Sequence, residues 1–373
     1  MGSTKQYNVI GLMSGTSLDG VDMAYCRFSR LNDNSEWRYE IVEAKTIKYN
    51  SKWIKKLQNL ELQNALKFVQ THVEFGHYLG GITNNFINEN NLNVDFISSH
   101  GHTVFHQPGK TARSAVHSSF GVTSQIGDGA AITAKCNLPV VCDFRSLDVA
   151  LGGQGAPLVP VGDKLLFPEY DLCLNLGGFA NVSFDKDGKR IAFDICPVNI
   201  VLNKLVKEIP DKLNTEGIDY DDKGNIAASG KINNDLLKEL NQISFYQKSP
   251  PRSLSKEWCT GFFFPVIEKY DIPVRDKLRT VCEHIAVQIN KISQSSAVNC
   301  RMLITGGGVY NVLLINRIKA LSNYQIIIPE KNIIDFKEAL IFAFLGVLRM
   351  RNEINCLKSV TGALKDNIGG AIY

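Results

Sequence analysis

A pattern of strand, glycine turn and returning strand occurs twice in this chain. In the first half, the apolar strand Tyr7–Leu12 leads into Ser14-Gly15-Thr16-Ser17, and another strand follows. In the second half, the strand Asp171–Leu176 leads into Gly177-Gly178, and again a strand follows. Such an internal repeat predicts a duplicated fold whose two halves bind one ligand.

A third glycine turn, Thr305-Gly306-Gly307-Gly308, follows the strand Met302–Ile304. Backbone N–H groups can bond a phosphate only where no Cβ blocks the approach, and hydroxyl side chains add donors. Asp19 lies beside the first turn and could hold a divalent cation. One such turn alone is more typical of a simple hairpin, but the three together favour a phosphate site, although the chain has neither a Walker loop nor a G-x-G-x-x-G motif.

Strand-like runs alternate with long helical patterns, which predicts an α/β fold. Further strands are expected at Val94–Ser98, Pro139–Asp143 and Arg190–Asp194, the last entered through an Asp-Gly hairpin turn at Asp185–Gly188. Asn214–Gly230, rich in Asp, Gly and Asn, is expected to be a surface loop. The helical patterns are Lys52–Asn90, Val198–Ile209, Ile232–Gln242, Asp276–Ser293 and Phe336–Arg351.

Composition excludes several classes of protein. The chain has 373 residues, which is enough for two domains, and its net charge of +4 argues against a nucleic-acid-binding protein. The longest apolar run, Ala339–Leu348, is roughly half a bilayer span, so no membrane segment is expected. Nine cysteines without a C-x-x-C pair indicate reduced thiols and a cytoplasmic protein.

The motifs of the chain resemble, in order, those of the anhydro-N-acetylmuramic acid kinase family, which has the actin/hexokinase/Hsp70-like ATPase fold. The resemblance covers nearly the whole chain. The matching segments are GLMSGTSLDGVD at 11–22, Ser99–Thr103 with His106 and Pro108, Gln125–Gly127, Asp143–Asp148, Gly152–Pro160, Asn175–Asn181, Thr305–Asn311 and Lys337–Ala339.

The resemblance implies an enzyme that uses ATP, Mg²⁺ and water to convert 1,6-anhydro-N-acetylmuramic acid into N-acetylmuramic acid 6-phosphate. It implies two actin-like (ribonuclease-H-like) α/β domains flanking an ATP and substrate cleft. The first domain is expected at residues 1–137 plus 337–373, and the second at 138–336. It makes a homodimer plausible as well.

The resemblance also assigns nucleotide-binding residues, with Asp19 near the metal and the third glycine turn near the adenosine. These residues are Ser14, Gly15, Thr16, Ser17, Leu18, Asp19, Gly20, Gly177, Gly178, Gly306, Gly307 and Gly308.

Asp194 is the candidate catalytic base, because it occupies the place of the aspartate in the D-T-G-P-G-N segment of related kinases. Capping of the helix Val198–Ile209 is the alternative role. The family's Thr and Gly residues are replaced here by Ile195-Cys196-Pro197-Val198, and Cys196 and Val198 add bulk. A kinase of another anhydro-sugar, or an ATP-binding protein without activity, therefore stays open as an alternative.

The sugar-binding candidates lie in three segments of the chain. His100, Gly101 and His102 are candidates to contact the sugar, with His102 where the family has Gln, and the alternative for the two histidines is a structural role in a loop or the core. Arg145 and Asp148 are expected to bind its carboxylate and hydroxyls, or else to pair with each other. Glu338 resembles a substrate-site Glu, although an acidic residue at a helix start also stabilises the helix.

Overall fold

The structure, a computed structural model, describes residues 5–32, 35–109, 121–209, 219–293 and 300–373. The chain forms two compact units, one of Met1–Phe167 with Phe336–Tyr373 and one of Pro168–Asp335. Residues 138–167, which the sequence analysis placed in the second domain, therefore belong to the first unit. The physical reason is that Val140–Cys142 pairs with a central strand of that unit. The arrangement of the two units, including the expected cleft, stays a prediction.

The first unit contains a seven-stranded sheet. Its strands are β1 (Lys5–Ser14), β2 (Gly20–Arg30), β3 (Arg38–Lys48), β4 (Phe96–Gln107), β5 (Val122–Ile126), β6 (Val140–Cys142) and, from the end of the chain, β12 (Ala371–Ile372). The order is β12-β6-β4-β1-β2-β3, and β5 pairs with the second half of β4. The pairs β1–β2 and β2–β3 are antiparallel, whereas β1–β4 and β4–β6 are parallel.

The second unit repeats this arrangement in five strands. They are β7 (Leu172–Leu176), β8 (Phe179–Lys186), β9 (Lys189–Pro197), β10 (Arg301–Thr305) and β11 (Gln325–Ile327), in the order β11-β10-β7-β8-β9. Here too the first three strands are antiparallel, and the fourth is parallel to the first. Both units thus share the order third, second, first, fourth, and the fourth strand is followed by β6 in the first unit and by β11 in the second. The predicted fold class, α/β with two actin-like units, is confirmed.

Helices pack on both sheets. The first unit has α1 (Ser51–Gln58), α2 (Ala65–Glu89), α3 (Gly129–Cys136), α4 (Ser146–Ala150) and α5 (Val159–Leu166). The second has α6 (Asn199–Lys207), α7 (Asn225–Ala228), α8 (Asn234–Gln242), α9 (Lys256–Trp258), α10 (Phe264–Glu268), α11 (Val274–Ser293) and α12 (Val312–Leu321). The chain continues into α13 (Lys331–Met350), most of which belongs to the first unit, and α14 (Lys358–Thr361).

Some elements differ from the sequence prediction. The helix predicted over Lys52–Asn90 is two helices, because Asn59 ends α1 and Asn64 caps α2 through its side chain. The strand predicted at Val94–Ser98 continues to Gln107, and β5 was not predicted. Residues 210–218, which include the start of the predicted loop Asn214–Gly230, lie outside the described residues. Within the described ranges, no helix is both long and apolar enough to cross a membrane.

The predicted Asp-Gly turn fixes the register of the second sheet. Asp187 and Gly188, at φ 50° and 73°, form the two-residue loop between β8 and β9. Positive φ at both positions is the requirement of a type I′ turn, whose twist matches that of the flanking strands. The ladder that starts here places Asn181 opposite Asp194.

A buried histidine in the second unit has consequences for stability. The side chain of His284 is fully buried, its Nδ1 donates to Asn241 Oδ1 at 2.8 Å, and its Nε2 accepts from the Tyr246 hydroxyl at 2.9 Å. Burial lowers the pKa of the ring from 6.5 to about 3. Protonation would place a charge in the apolar core of this unit.

We expect acid to destabilise the second unit through this ring. The unfolded ring binds a proton near its ordinary pKa of 6.5 and the folded ring only near 3, so the free energy of unfolding falls as the pH drops between these values. In His284→Gln, the slope of that free energy should decrease by up to about 1.4 kcal/mol per pH unit. Denaturant melts at several pH values measure it, with the exposed His77→Gln as the control. An unchanged slope would contradict the expectation.

Candidate functional site

The first glycine turn connects β1 to β2 and presents polar groups to solvent. Thr16, Ser17 and Asp19 are exposed, and Ser17 Oγ donates to Asp19 Oδ1 at 2.7 Å. Leu18 has φ 63°, so the left-handed position of the turn is taken by a leucine and not by Gly15. The role of Gly15 is therefore to leave free the space beside the exposed donors, because it has no side chain.

Gly20 and Gly15 differ in their surroundings. A Cβ on Gly20 would lie 2.4 Å from the carbonyl oxygen of Ile47, since Gly20 pairs closely with β3. A Cβ on Gly15 would meet nothing closer than Ser17 Oγ at 3.4 Å. Strand packing explains the glycine at position 20, whereas the space beside Gly15 is open to a ligand.

We expect Gly20→Ala to destabilise the first unit by about 1–3 kcal/mol, because a Cβ must displace the backbone of β3. Gly15→Ala should change the free energy of unfolding by less than about 0.5 kcal/mol. Denaturant unfolding of both variants tests the contrast. Equal destabilisation would mean that Gly15 too is required by the packing of the unit.

Ser14, the last residue of β1, is held by two side chains. Its Oγ lies 2.6 Å from the Tyr49 hydroxyl and 3.0 Å from His102 Nδ1. Burial lowers the pKa of His102 to about 4, so the ring is neutral at pH 7. His102 therefore connects β4 to the start of the first glycine turn, and this contact occupies one of its two nitrogens.

His100 and Arg145 form a second cluster in the first unit. His100 Nδ1 donates to the carbonyl of Gly101 at 2.8 Å, which leaves Nε2 to accept from Arg145 Nη2 at 2.8 Å and Nε at 3.2 Å. Arg145 Nη1 donates to the carbonyl of Gly155 at 2.6 Å. Burial, together with Arg145, lowers the pKa of His100, and burial lowers that of Arg145 to about 10, so the guanidinium stays charged at pH 7.

The alternative prediction, an ion pair between Arg145 and Asp148, is wrong. Within the described residues, no carboxylate lies within ion-pair distance of the guanidinium. Asp148 is fully buried and bonds the Cys356, Thr361 and Asn367 side chains and a backbone N–H. The direct substrate contact expected of Asp148 has no exposed atom to make it, whereas Arg145 is half-buried.

Glu338 lies in the third turn of α13, because this helix begins at Lys331 and not at Phe336. The helix-dipole role considered for Glu338 therefore does not apply. The side chain is exposed. Desolvation by the surrounding protein and the negative charge of Asp22 raise the pKa of its carboxyl, while the positive charge of Arg145 lowers it. Glu338 is thus an accessible carboxylate close enough to Arg145 to interact electrostatically with it.

The two glycine turns of the second unit meet at the end of β7. Because β7 and β10 are parallel, Asn175 is paired with Thr305, and the turns that follow these strands are neighbours. The Asn175 amide lies between them, 3.2 Å from the Cβ position of Gly177 and 2.5 Å from that of Gly306. Gly306, at φ 86°, is the turn position that requires glycine.

Asp194 belongs to a polar row across the second sheet. The pairs Thr305–Asn175, Asn175–Asn181 and Asn181–Asp194 place these four side chains on one face. Asp194 Oδ2 accepts the Leu254 N–H at 2.7 Å, and α6 is capped at Val198 without a side-chain bond, so Asp194 is not its cap. Burial raises the pKa of Asp194 to about 6, opposed by the Leu254 N–H and Arg252.

A β-bulge separates Asp194 from Cys196. Asn181 pairs with Asp194 and Ala180 with Cys196, so Ile195 is the extra residue. The side chains of Asp194 and Cys196 therefore point to opposite faces, although residues two apart normally share one. Cys196 and Val198 are fully buried in the core of the second unit, so the bulk that the sequence predicted there does not lie beside Asp194. Burial also raises the pKa of the Cys196 thiol, which is therefore unreactive.

The donor set fits a nucleotide-bound Mg²⁺ better than a metal held by protein alone. Asp19 offers an exposed carboxylate oriented by Ser17. Among the residues that the structure describes, no three His, Cys, Asp or Glu side chains could hold a metal together. Mg²⁺ commonly binds through one or two carboxylates together with substrate phosphates and water.

The structure thus brings predicted residues together in two clusters in the first unit and at one sheet edge in the second. The first unit brings Ser14 to His102 and His100 to Arg145, and the second brings the glycine turns and Asp194 to one edge of a sheet. Sequence reasoning did not select Tyr49, Asn175, Asn181 or Gly155. The asparagines stand at both ends of the motif Asn175–Asn181, where strand alternation could have identified them.

Two comparisons with known proteins, with a family model and with individual relatives, match nearly the whole chain to the same family. A family model described as anhydro-N-acetylmuramic acid kinase matches residues 7–373. The anhydro-N-acetylmuramic acid kinase of Francisella tularensis subsp. novicida is 32% identical over 386 residues and covers 97% of each chain. The protein of that name from Mannheimia succiniciproducens is 32% identical over 394 residues, covering 99% of each. A solved structure, the activator of the 2-hydroxyisocaproyl-CoA dehydratase from Clostridium difficile, is far more distant, at a TM-score of 0.42 and 12% identity over 92% of this chain and 97% of that one.

Proposed function

We propose a function from one premise: the chain belongs to the anhydro-N-acetylmuramic acid kinase family. It is a phosphotransferase with an alcohol group as acceptor. The reaction is the opening of 1,6-anhydro-N-acetylmuramic acid by water and its phosphorylation by ATP to N-acetylmuramic acid 6-phosphate. The observation that carries this proposal is the match of the family over residues 7–373.

Asp194 acts as the general base of this reaction. It accepts a proton from the water that attacks the anomeric carbon, while the bond from that carbon to O6 breaks. The freed O6 takes the γ-phosphoryl group, and ADP leaves. A pKa of about 6 leaves Asp194 ionised at pH 7 and close to the working pH, which favours proton transfer.

The first glycine turn binds the ATP phosphates. The exposed hydroxyls of Thr16 and Ser17 and the open backbone at Gly15 supply donors, and the carboxylate of Asp19 would hold Mg²⁺. Mg²⁺, when bound, neutralises charge on the phosphates. Gly177 and Gly178 approach the phosphates and Gly306–Gly308 the adenosine, and positioning by these groups supplies most of the remaining acceleration.

Arg145 is the residue that binds the carboxylate of the sugar. It is charged and half-buried, and in the described structure its three nitrogens donate to a histidine and a carbonyl and to no carboxylate. A guanidinium in this state favours an anionic ligand. Glu338, His100, Gly101 and His102 complete the sugar-binding group, with His102 acting through Ser14.

The alternative functions rest on the loop after Asp194, chiefly Cys196 and Val198, and for a different sugar also on His102. Bulk at Cys196 and Val198 in the substrate space would favour a different sugar or a loss of activity. Their place in the core of the second unit removes that reason. A cytoplasmic location agrees with nine free thiols, and the homodimer stays a prediction.

We expect Asp194→Asn to reduce turnover of the anhydro-sugar by about 10²- to 10⁴-fold, because the base is lost. ATP binding should be preserved, since the backbone turn is unchanged. ADP release and mass spectrometry of the sugar 6-phosphate measure turnover, and calorimetry measures ATP binding.

The matched control is Asp187→Asn in the exposed hairpin turn, where Asn accepts the positive φ. In the wild type, kcat/KM should fall as the pH drops below about 6, because protonated Asp194 cannot accept a proton. Turnover that survives in Asp194→Asn would assign the base elsewhere. No turnover in the wild type, with ATP bound, would overturn the proposed substrate.

We expect Gly178→Ala to raise KM for ATP by about tenfold while leaving stability unchanged, because the new Cβ would occupy the path of a phosphate. Apart from Gly178 and its two chain neighbours, no described residue has an atom within 4 Å of the Cβ site. Gly261 has the same open surroundings in the same unit, so Gly261→Ala is the control. Initial-rate kinetics over a range of ATP concentrations would detect the change, and equal KM values would exclude Gly178 from the phosphate site.

A further inference from the structure

Asp148 is a fully buried carboxylate whose four hydrogen-bond donors are all neutral. Its Oδ1 accepts from Thr361 Oγ1 at 2.8 Å, Asn367 Nδ2 at 2.9 Å and Cys356 Sγ at 3.0 Å. Its Oδ2 accepts from the Gly155 N–H at 2.8 Å. A buried charge requires such donors, and losing one leaves it poorly compensated.

Three of these donors belong to the C-terminal segment 355–373. This segment is fixed to the rest of the first unit by the pairing of β12 with β6 and by a bond from the Gln154 N–H to the carbonyl of Thr361 at 2.8 Å. A bridge between Cys356 and Asn367 closes the segment on itself. The fourth donor, Gly155, lies in the loop after α4. Asp148 therefore ties the end of the chain to that loop.

Gly155 connects Asp148 to Arg145. Its N–H donates to Asp148, and its carbonyl accepts from Arg145 Nη1 at 2.6 Å. Gly155 has φ 64°, and a Cβ on Gly153 would lie 2.2 Å from Asp148 Oδ2, so the loop fits closely around this carboxylate. The other side of the guanidinium is fixed by His100.

We infer that Asp148 and the C-terminal segment, chiefly Thr361, are positioning residues that set the direction of the Arg145 guanidinium through Gly155. The segment thereby determines how well the protein selects a sugar that carries a carboxylate. This inference rests on the proposed function, because it takes Arg145 as the residue that binds that carboxylate.

The first test is Thr361→Val, which keeps the shape of the side chain and removes one donor to Asp148. We expect KM for the anhydro-sugar to rise about five- to tenfold, with kcat and KM for ATP within twofold of the wild type. Thr361→Ser restores the hydroxyl and should restore KM. The control is Thr83→Val, since the buried hydroxyl of Thr83 has no hydrogen-bond partner within the described structure.

A sugar without the negative charge distinguishes a misplaced Arg145 from a general loosening of the fold. The same kinetics are measured with the carboxamide of the anhydro-sugar, which cannot pair with a guanidinium. The rise in KM should be confined to the acid. An equal rise for acid and amide, or none for either, would overturn the inference.

A readout without turnover keeps the inference testable if the proposed function fails. The Nε–H signal of Arg145 in ¹⁵N NMR, identified by its loss in Arg145→Lys, reports the bond to His100. It should shift or broaden in Thr361→Val and stay in place in Thr83→Val and Thr361→Ser. An unmoved signal in Thr361→Val would refute the positioning role. A wild type that fails to use the sugar, with the signal moved in Thr361→Val, would refute only the proposed function.

Discussion

The parallel pairing of the first and fourth strands in each unit is the interaction on which both groups of candidate residues depend. Parallel strands end at the same edge of a sheet. The pairing of β1 with β4 therefore brings Ser14 to His102, and that of β7 with β10 brings Asn175 to Thr305. The strand that returns through each glycine turn then adds its own polar residues to this edge. Without this pairing, the short glycine motifs would be hairpin turns with no common position.

The local parts of this fold could be predicted from the sequence. A glycine turn between apolar strands, and the Asp-Gly turn at Asp187-Gly188, are properties of a few adjacent residues, and the structure has them where the sequence indicated. The boundary after Phe167 could not be predicted in this way, because it depends on β6 pairing with β4 more than thirty residues earlier. The strand β5 was missed because its residues, Val-Thr-Ser-Gln-Ile, carry little apolar signal.

In the candidate site too, local features could be predicted and long-range contacts could not. A motif predicted Asp194 at the end of its strand, but β9 continues three residues further, to Pro197. The face of the sheet on which Cys196 lies could not be predicted, because the sequence contains no sign of the bulge at Ile195. Asp148 is the opposite case: an aspartate beside Arg145 suggested an ion pair, but its partners Thr361 and Asn367 are more than two hundred residues away in the chain. Only the tertiary structure reveals that contact.

The bulge at Ile195 also has a consequence for which side chains the positions after Asp194 accept. Since Cys196 and Val198 lie in the core, side-chain volume and packing against α6 decide which residues fit at these positions. Changes of side-chain size at these two positions therefore require compensating changes in the interior, whereas Asp194 lies on the opposite face of the sheet. The unusual residues that follow the candidate base are thus explained by the filling of a hydrophobic core.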